Sequence, residues 1–208
     1  MPKDHRFWQI KRTNLKHSFA RATLSLWRVS DKKNSLERRQ DETVTAAVHQ
    51  VALTAERVGR PAAAEHMRNA WAKTYGLHPE LSKAYAEAVL AVEAVAIPAI
   101  VPKHVDATLG HVYGQLRNQG YLYELSILDK ATGDCASVEA VTQLVELLWK
   151  GHTDRHEGNV PAVPITQEAA EMAVHAAASL IQWFASDAIR RKSRLMLGLR
   201  PLPLLLEG

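Results

Sequence analysis

Apolar residues recur along most of the chain at the three- and four-residue spacing of an amphipathic helix. In the stretch DETVTAAVHQVALTAERVG, the side chains of Val44, Val48 and Val51 fall on one helical face. Gly59 is expected to end this helix, and Pro61 to begin the next one, at a position where its missing N–H costs nothing. No stretch alternates apolar and polar residues for long enough to indicate a strand. The pattern therefore predicts an all-α fold.

The helical spacing continues through the second half of the chain. Pro98 and Pro102 are expected to end a central helix, whereas Ser137 and Thr166 are expected to cap later ones. The predicted helices cover residues 79–97, 105–120, 136–151 and 167–191. A loop of about 15 residues joins the last two, and long helices joined in this way usually pack antiparallel.

Charge is distributed unevenly along the chain. The formal net charge is +4, but residues 1–39 contain 11 Lys and Arg against 3 Asp and Glu, and residues 40–186 contain 10 against 17. A basic segment before an acidic one indicates contact with a polyanion, of which nucleic acid is the commonest. The residues predicted to contact nucleic acid are Lys11, Arg12, Lys16, Arg21, Lys32, Lys33, Arg38 and Arg39.

Composition narrows the class of protein further. No apolar run approaches the roughly 20 residues of a membrane span, and charged residues interrupt the apolar stretches of the opening sequence MPKDHRFWQIKR. With one cysteine, Cys135, an intrachain disulfide is excluded and a thiolate zinc site is not expected. These features predict a cytoplasmic protein that has no membrane contact and needs no cofactor.

The stretch GHTDRHEGN, residues 151–159, gathers ionisable side chains just before the sequence VPAVP. His152 and His156 lie four residues apart, and Asp154 or Glu157 would complete a metal site, although the His-Glu-x-x-His pattern of zinc proteases is absent. The glycines favour a loop over a helix. A nucleolytic site and a solvated turn are the two other interpretations.

Three stretches carry a family resemblance: AYAEAVLAVEAVAIPAIVPKHVDATLGHVYGQLR, SVEAVTQLVELLWKGHTDRHEGN and ITQEAAEMAVHAAASLIQWF. Together they resemble the C-terminal domain of abortive-infection-like proteins, which belong to the HEPN group of helical bundles. The resemblance lies in the order of the helices and in the histidine-containing loop before the last long helix. It extends over roughly residues 62–190.

This resemblance implies a metal-independent ribonuclease that acts as a homodimer. Active HEPN proteins bring together Arg-x4–6-His motifs across the dimer interface, and the histidine acts as a base toward the ribose 2′-hydroxyl. His156, followed by Glu-Gly-Asn, occupies the position of the family's histidine. A neutral imidazole accepts protons near pH 7, and a guanidinium offers a planar fork to phosphate oxygens. The resemblance therefore makes Arg155 and His156 catalytic candidates, with Asn159 as a secondary one.

The loop departs from the family pattern at the arginine. No arginine lies four to six residues before His156, and the cation at that spacing is Lys150, which lacks the bidentate fork. Arg155 is directly adjacent to the histidine. The motif spacing recurs in RTNLKH (residues 12–17) and RPAAAEH (residues 60–66), but neither stretch lies before the last long helix. Lys150 is therefore a further secondary candidate.

Other chemistry-bearing side chains have structural interpretations. His175 and His111 are predicted to be partly buried and hydrogen-bonded. Trp149 and Trp183 are predicted to pack in the core or at a dimer interface.

The sequence as a whole predicts three parts: a basic helical extension over residues 1–60, a HEPN-like bundle over 61–190, and a basic then apolar tail over 191–208. The first functional hypothesis is a phage-defence or stress protein that binds RNA and cleaves it as a homodimer. The alternative is a non-catalytic dimerising module that binds a partner protein or nucleic acid.

Overall fold

A computed structural model describes four ranges of the chain, namely residues 27–29, 36–38, 40–152 and 163–192. Six α-helices account for most of these residues. They are α1 (Glu42–Arg57), α2 (Pro61–Tyr75), α3 (Leu81–Ile100), α4 (Leu109–Gln119), α5 (Glu139–Gly151) and α6 (Gln167–Ala185). The predicted all-α class is confirmed.

Local signals fix the first two helices where the sequence predicts them. The Asp41 carboxylate accepts a hydrogen bond from the Thr43 N–H at 2.8 Å and so caps α1. This hydrogen bond, together with bonds from the Thr43 side chain and the Val44 N–H, holds the pKa of Asp41 below its ordinary value. Gly59 adopts a φ of 75°, which glycine tolerates without strain, and Pro61 opens α2.

The later helix ends agree only in part with prediction. The Thr166 hydroxyl caps α6 by accepting a hydrogen bond from the Ala169 N–H at 3.2 Å, as predicted. In contrast, the N-cap position of α5 is Val138 rather than Ser137, and its side chain makes no capping hydrogen bond. Helix α3 continues through Pro98 to Ile100. A proline near the end of a helix removes one backbone hydrogen bond, and the apolar packing of this last turn outweighs that loss.

The central helix α3 organises the core. It packs chiefly on α2 and α6, and more lightly on α4. Its fully buried alanines, including Ala88 and Ala91, alternate with Val92 and Val95, so buried positions cover a wide arc of the helix. Helix α5 packs mainly on α4 rather than on α6, so α5 and α6 are not the closely packed pair that their connection predicted.

Within the described ranges, four short strands correct the prediction that the chain contains none. Strands β1 (Trp27–Val29) and β2 (Leu36–Arg38) pair antiparallel, with Trp27 opposite Arg38. Strands β3 (Tyr123–Leu125) and β4 (Ile189–Arg191) also pair antiparallel. Three residues are too few to show a two-residue period in the sequence, which is why the pattern missed them.

The end of α6 and the start of the described chain both differ from the predicted helices. Helix α6 ends at Ala185 instead of continuing to residue 191, and Asp187 adopts a φ of 54° before β4 begins. Trp27, which belongs to the predicted helical extension, lies in a strand. Residues 1–26 of that extension lie outside the described residues.

Among the helices that the structure describes, none combines the length and the apolar character needed to cross a bilayer.

Candidate functional site

Hydrogen bonds between distant segments bring several chain ends together at one end of the bundle. The Gln167 side chain donates to the Thr74 carbonyl at 3.1 Å, which joins the start of α6 to the end of α2. The Tyr85 hydroxyl donates to the Leu148 carbonyl at 3.2 Å, which joins the start of α3 to the end of α5. We call this end, where α2 and α5 stop and α3 and α6 start, the loop end.

The loop end also receives the N-terminal hairpin. The Leu77 N–H donates to the Leu36 carbonyl of β2 at 3.2 Å. In addition, the Arg38 guanidinium lies 3.5 Å from the Glu171 carboxylate on α6. Residues 153–162 form the middle of the charged loop. The residues that border this range therefore lie at the loop end, to which the basic segment is bound through β2.

Lys150, on the α5 side of that loop, is engaged by its own helix. Its ammonium lies 2.6 Å from the Glu146 carboxylate, which also accepts the Tyr113 hydroxyl at 2.7 Å. The hydrogen bond between Lys150 and Glu146 raises the pKa of the lysine and lowers that of the glutamate, and the Tyr113 hydroxyl lowers the latter further. An anion that approached Lys150 would compete with this carboxylate.

Two aromatic contacts position the end of α5 beside its neighbours. The Trp149 ring stacks on Tyr113 with ring centroids 5.4 Å apart, so the predicted packing role of Trp149 is observed within the chain. The His152 ring stacks on Tyr85 with centroids 6.1 Å apart and planes within 4°. A side chain at Gly151 would overlap the Tyr85 hydroxyl, so this close approach needs glycine.

On the α6 side, a buried phenol is bonded to an exposed imidazole. Tyr75 is 1% exposed, and its hydroxyl lies 3.1 Å from Nε2 of His175. Burial, followed by the negative charge of Glu171, raises the pKa of Tyr75 to about 12, while Arg38 acts in the opposite direction. The phenol is therefore neutral at physiological pH. The His175 ring also lies nearly perpendicular to the Trp71 ring, with ring centroids 6.3 Å apart.

The two histidines predicted to be partly buried are both exposed, but each is hydrogen-bonded as predicted. His175 is bonded to Tyr75. His111 accepts a hydrogen bond from the Thr108 N–H at 3.1 Å and thereby caps α4. No local pattern marks the Tyr75–His175 contact, because 100 residues separate the two side chains.

The predicted site residues are only partly covered by the structure. Lys150 and Arg38 are described above, and both are ion-paired. The residues that lie outside the described ranges are Arg155, His156, Asn159, Lys11, Arg12, Lys16, Arg21, Lys32, Lys33 and Arg39. The motif match at residues 12–17 lies outside the described ranges. In the match at residues 60–66, His66 lies 2.7 Å from the Glu87 carboxylate.

The metal-site interpretation has no support from the described part of the chain. There, no three His, Cys, Asp or Glu side chains lie close enough together to hold a metal ion. His152 is described, whereas Asp154, His156 and Glu157 fall in the range 153–162.

Comparisons of the chain with protein-family models, curated proteins and solved structures find no match. Functional inference therefore depends on the geometry of the loop end.

Proposed function

We propose that this chain is a HEPN-like helical protein that binds RNA through its basic N-terminal segment at the loop end. One observation carries the proposal: β2 is bound to the bundle by the Arg38–Glu171 ion pair and the Leu77–Leu36 hydrogen bond. RNA held by the basic segment would consequently lie beside both ends of the charged loop.

The state of Arg38 supports this arrangement. Its separation from Glu171, 3.5 Å, is long for an ion pair, and its side chain is 53% exposed. By comparison, the Lys150–Glu146 and Arg190–Glu124 pairs are 2.6 and 2.9 Å long. Arg38 thus keeps guanidinium N–H groups available for phosphate oxygens, which are the main protein contacts in sequence-independent binding.

Metal-independent RNA cleavage by a homodimer is the second function that we propose. The observation that favours it is that both ends of the charged loop lie at the loop end, where β2 of the basic segment is bound. Since Glu146 already holds Lys150 at 2.6 Å, we assign the phosphate-binding role to Arg155 rather than to Lys150, with His156 as the base.

Binding is tested by fluorescence anisotropy with a labelled single-stranded RNA over a range of salt concentrations. Each phosphate contact to a single strand contributes about 0.7 to the slope of log affinity against log salt. The test variant carries glutamine at four basic positions of the segment, Lys11, Arg12, Lys16 and Arg21. The matched control carries glutamine at four basic positions outside the loop end, Arg57, Lys103, Lys130 and Arg191.

We expect the test variant to lower the slope by up to about three units and the control to leave it nearly unchanged. Equal slopes for the wild type and the test variant would remove the segment from the binding site.

Cleavage is tested separately, with the same RNA in the presence of EDTA. We expect Arg155→Ala and His156→Ala to abolish cleavage and Lys150→Ala to leave it intact. Cleavage that survives His156→Ala refutes the assignment of the base. RNA binding without any cleavage would support the RNA-binding function and refute the ribonuclease function.

A further inference from the structure

Helix α6 exposes one continuous stripe along its length. The stripe, which we call the α6 stripe, consists of Met172, His175, Ser179 and Trp183, spaced three and four residues apart. Met172 is 62% exposed and Trp183 is 38% exposed. Two large apolar side chains at the ends of one helical face mark a surface suited to contact with another segment.

The strand register shows where the preceding chain reaches this stripe. Trp27 lies opposite Arg38 in the β1–β2 pair, and Arg38 contacts Glu171. Glu171 is the neighbour in sequence of Met172, the first residue of the α6 stripe. Residues 1–26 therefore join the hairpin beside the start of the stripe.

We propose that residues 1–26 dock on the α6 stripe and cover Met172 and Trp183. Trp183 follows Met172 by eleven positions, a distance of about 16 Å along a helix. Twenty-six residues span about 39 Å even when fully helical, so the segment is long enough. Its covalent attachment next to the stripe also gives it a millimolar effective concentration, which favours it over a second copy of the chain.

The composition of the segment matches the surface. Residues 1–26 contain six Lys and Arg against one Asp, and their large apolar side chains include Phe7, Trp8, Phe19 and Leu24. At the start of α6, Glu168 is exposed and Glu171 is partly exposed. Apolar contacts with the stripe and attraction to these carboxylates act together. This docking does not depend on RNA binding.

Thiol accessibility in the full-length chain tests the proposal. In a Cys135→Ser background, Met172→Cys places a thiol in the stripe, and Leu53→Cys places a control thiol on α1, where Leu53 is 43% exposed. We expect the Met172→Cys thiol to react with a maleimide about tenfold more slowly than the control, because a segment docked ten to one exposes it about a tenth of the time.

Substitutions in the segment identify what covers the stripe. Phe19→Asp with Leu24→Asp should restore rapid reaction at residue 172, whereas Ser18→Asp with Ser25→Asp adds the same charge and should not. The rate at residue 53 should stay constant in both, which verifies the fold. Rapid reaction of the Met172→Cys thiol in the chain with an unchanged N-terminal segment overturns the proposal. So does protection that survives the Phe19 and Leu24 substitutions, or protection that grows with protein concentration, which indicates a second copy.

Discussion

Substituting either partner of the Tyr75–His175 hydrogen bond should lower the stability of the protein, but by unequal amounts. Tyr75 is 1% exposed, whereas His175 is exposed. Tyr75→Phe removes the buried hydroxyl together with its bond. His175→Leu keeps the bulk of the imidazole but leaves the buried hydroxyl without its hydrogen-bond partner, and the apolar side chain restricts water from replacing it. We expect the change at the exposed residue to be the more destabilising of the two.

The magnitudes follow from the cost of burying a polar group. Loss of an ordinary hydrogen bond in Tyr75→Phe should lower the free energy of unfolding by about 1 kcal/mol. A buried hydroxyl left without a partner costs about 1–3 kcal/mol, and the better helix propensity of leucine returns a few tenths of that. The double variant removes both polar groups. Its loss should therefore be about 1 kcal/mol smaller than the sum of the two single losses.

Urea denaturation followed by circular dichroism measures all three variants. The reasoning fails if His175→Leu is less destabilising than Tyr75→Phe, or if the two losses simply add in the double variant. His175→Gln is the matched control, because its amide reaches about as far from the helix as Nε2 of the histidine, and it should recover part of the stability.

Three further outcomes are expected. Between pH 10 and 12 the wild type should lose about 2 kcal/mol more than Tyr75→Phe in urea denaturation. The reason is that stability linked to a pKa raised to about 12 is present below pH 10 and is lost as the pH rises. Parallel curves for the two proteins would contradict this. Gly110→Ala should lower stability by about 1–3 kcal/mol and shift tryptophan emission, because the new Cβ would lie 2.8 Å from Nε1 of Trp149. An unchanged melting temperature would show that the ring moves aside freely. Thr166→Ala should cost about 1 kcal/mol in thermal unfolding through loss of the α6 cap, and Thr166→Ser should cost almost nothing.

The features that the sequence predicted correctly depend on neighbouring residues. Gly59 and Pro61 separate α1 from α2 because each acts on its own backbone dihedral angle. The Thr166 cap acts over three residues. The apolar arc of α3 likewise predicts its central position, since a helix buried on most sides must be apolar on most sides.

The features that the sequence missed depend on distant residues or on very short segments. Helix α6 stops at Ala185 although apolar residues continue to Ile189. After the left-handed turn at Asp187, the chain forms β4 and pairs with β3 instead of continuing the helix. Aspartate adopts that conformation more readily than most residues, but its presence alone does not require it. The Tyr75–His175 contact joins two helices whose packing cannot be read from either sequence segment.

The β3–β4 pair has a consequence for the order of folding. Glu124 and Arg190, which are paired across the strands and joined by a 2.9 Å ion pair, lie 66 residues apart. Closing a loop of that length costs about 4 kcal/mol of chain entropy. Strand β4 also leaves the ribosome after the helices that the structure describes, α1 to α6. Contacts of such long range form late, after the helices have packed. Weakening this pair, for example by Arg190→Gln, should therefore accelerate unfolding while leaving the folding rate nearly unchanged. The β3–β4 pair thus governs the lifetime of the native state rather than the rate at which it forms.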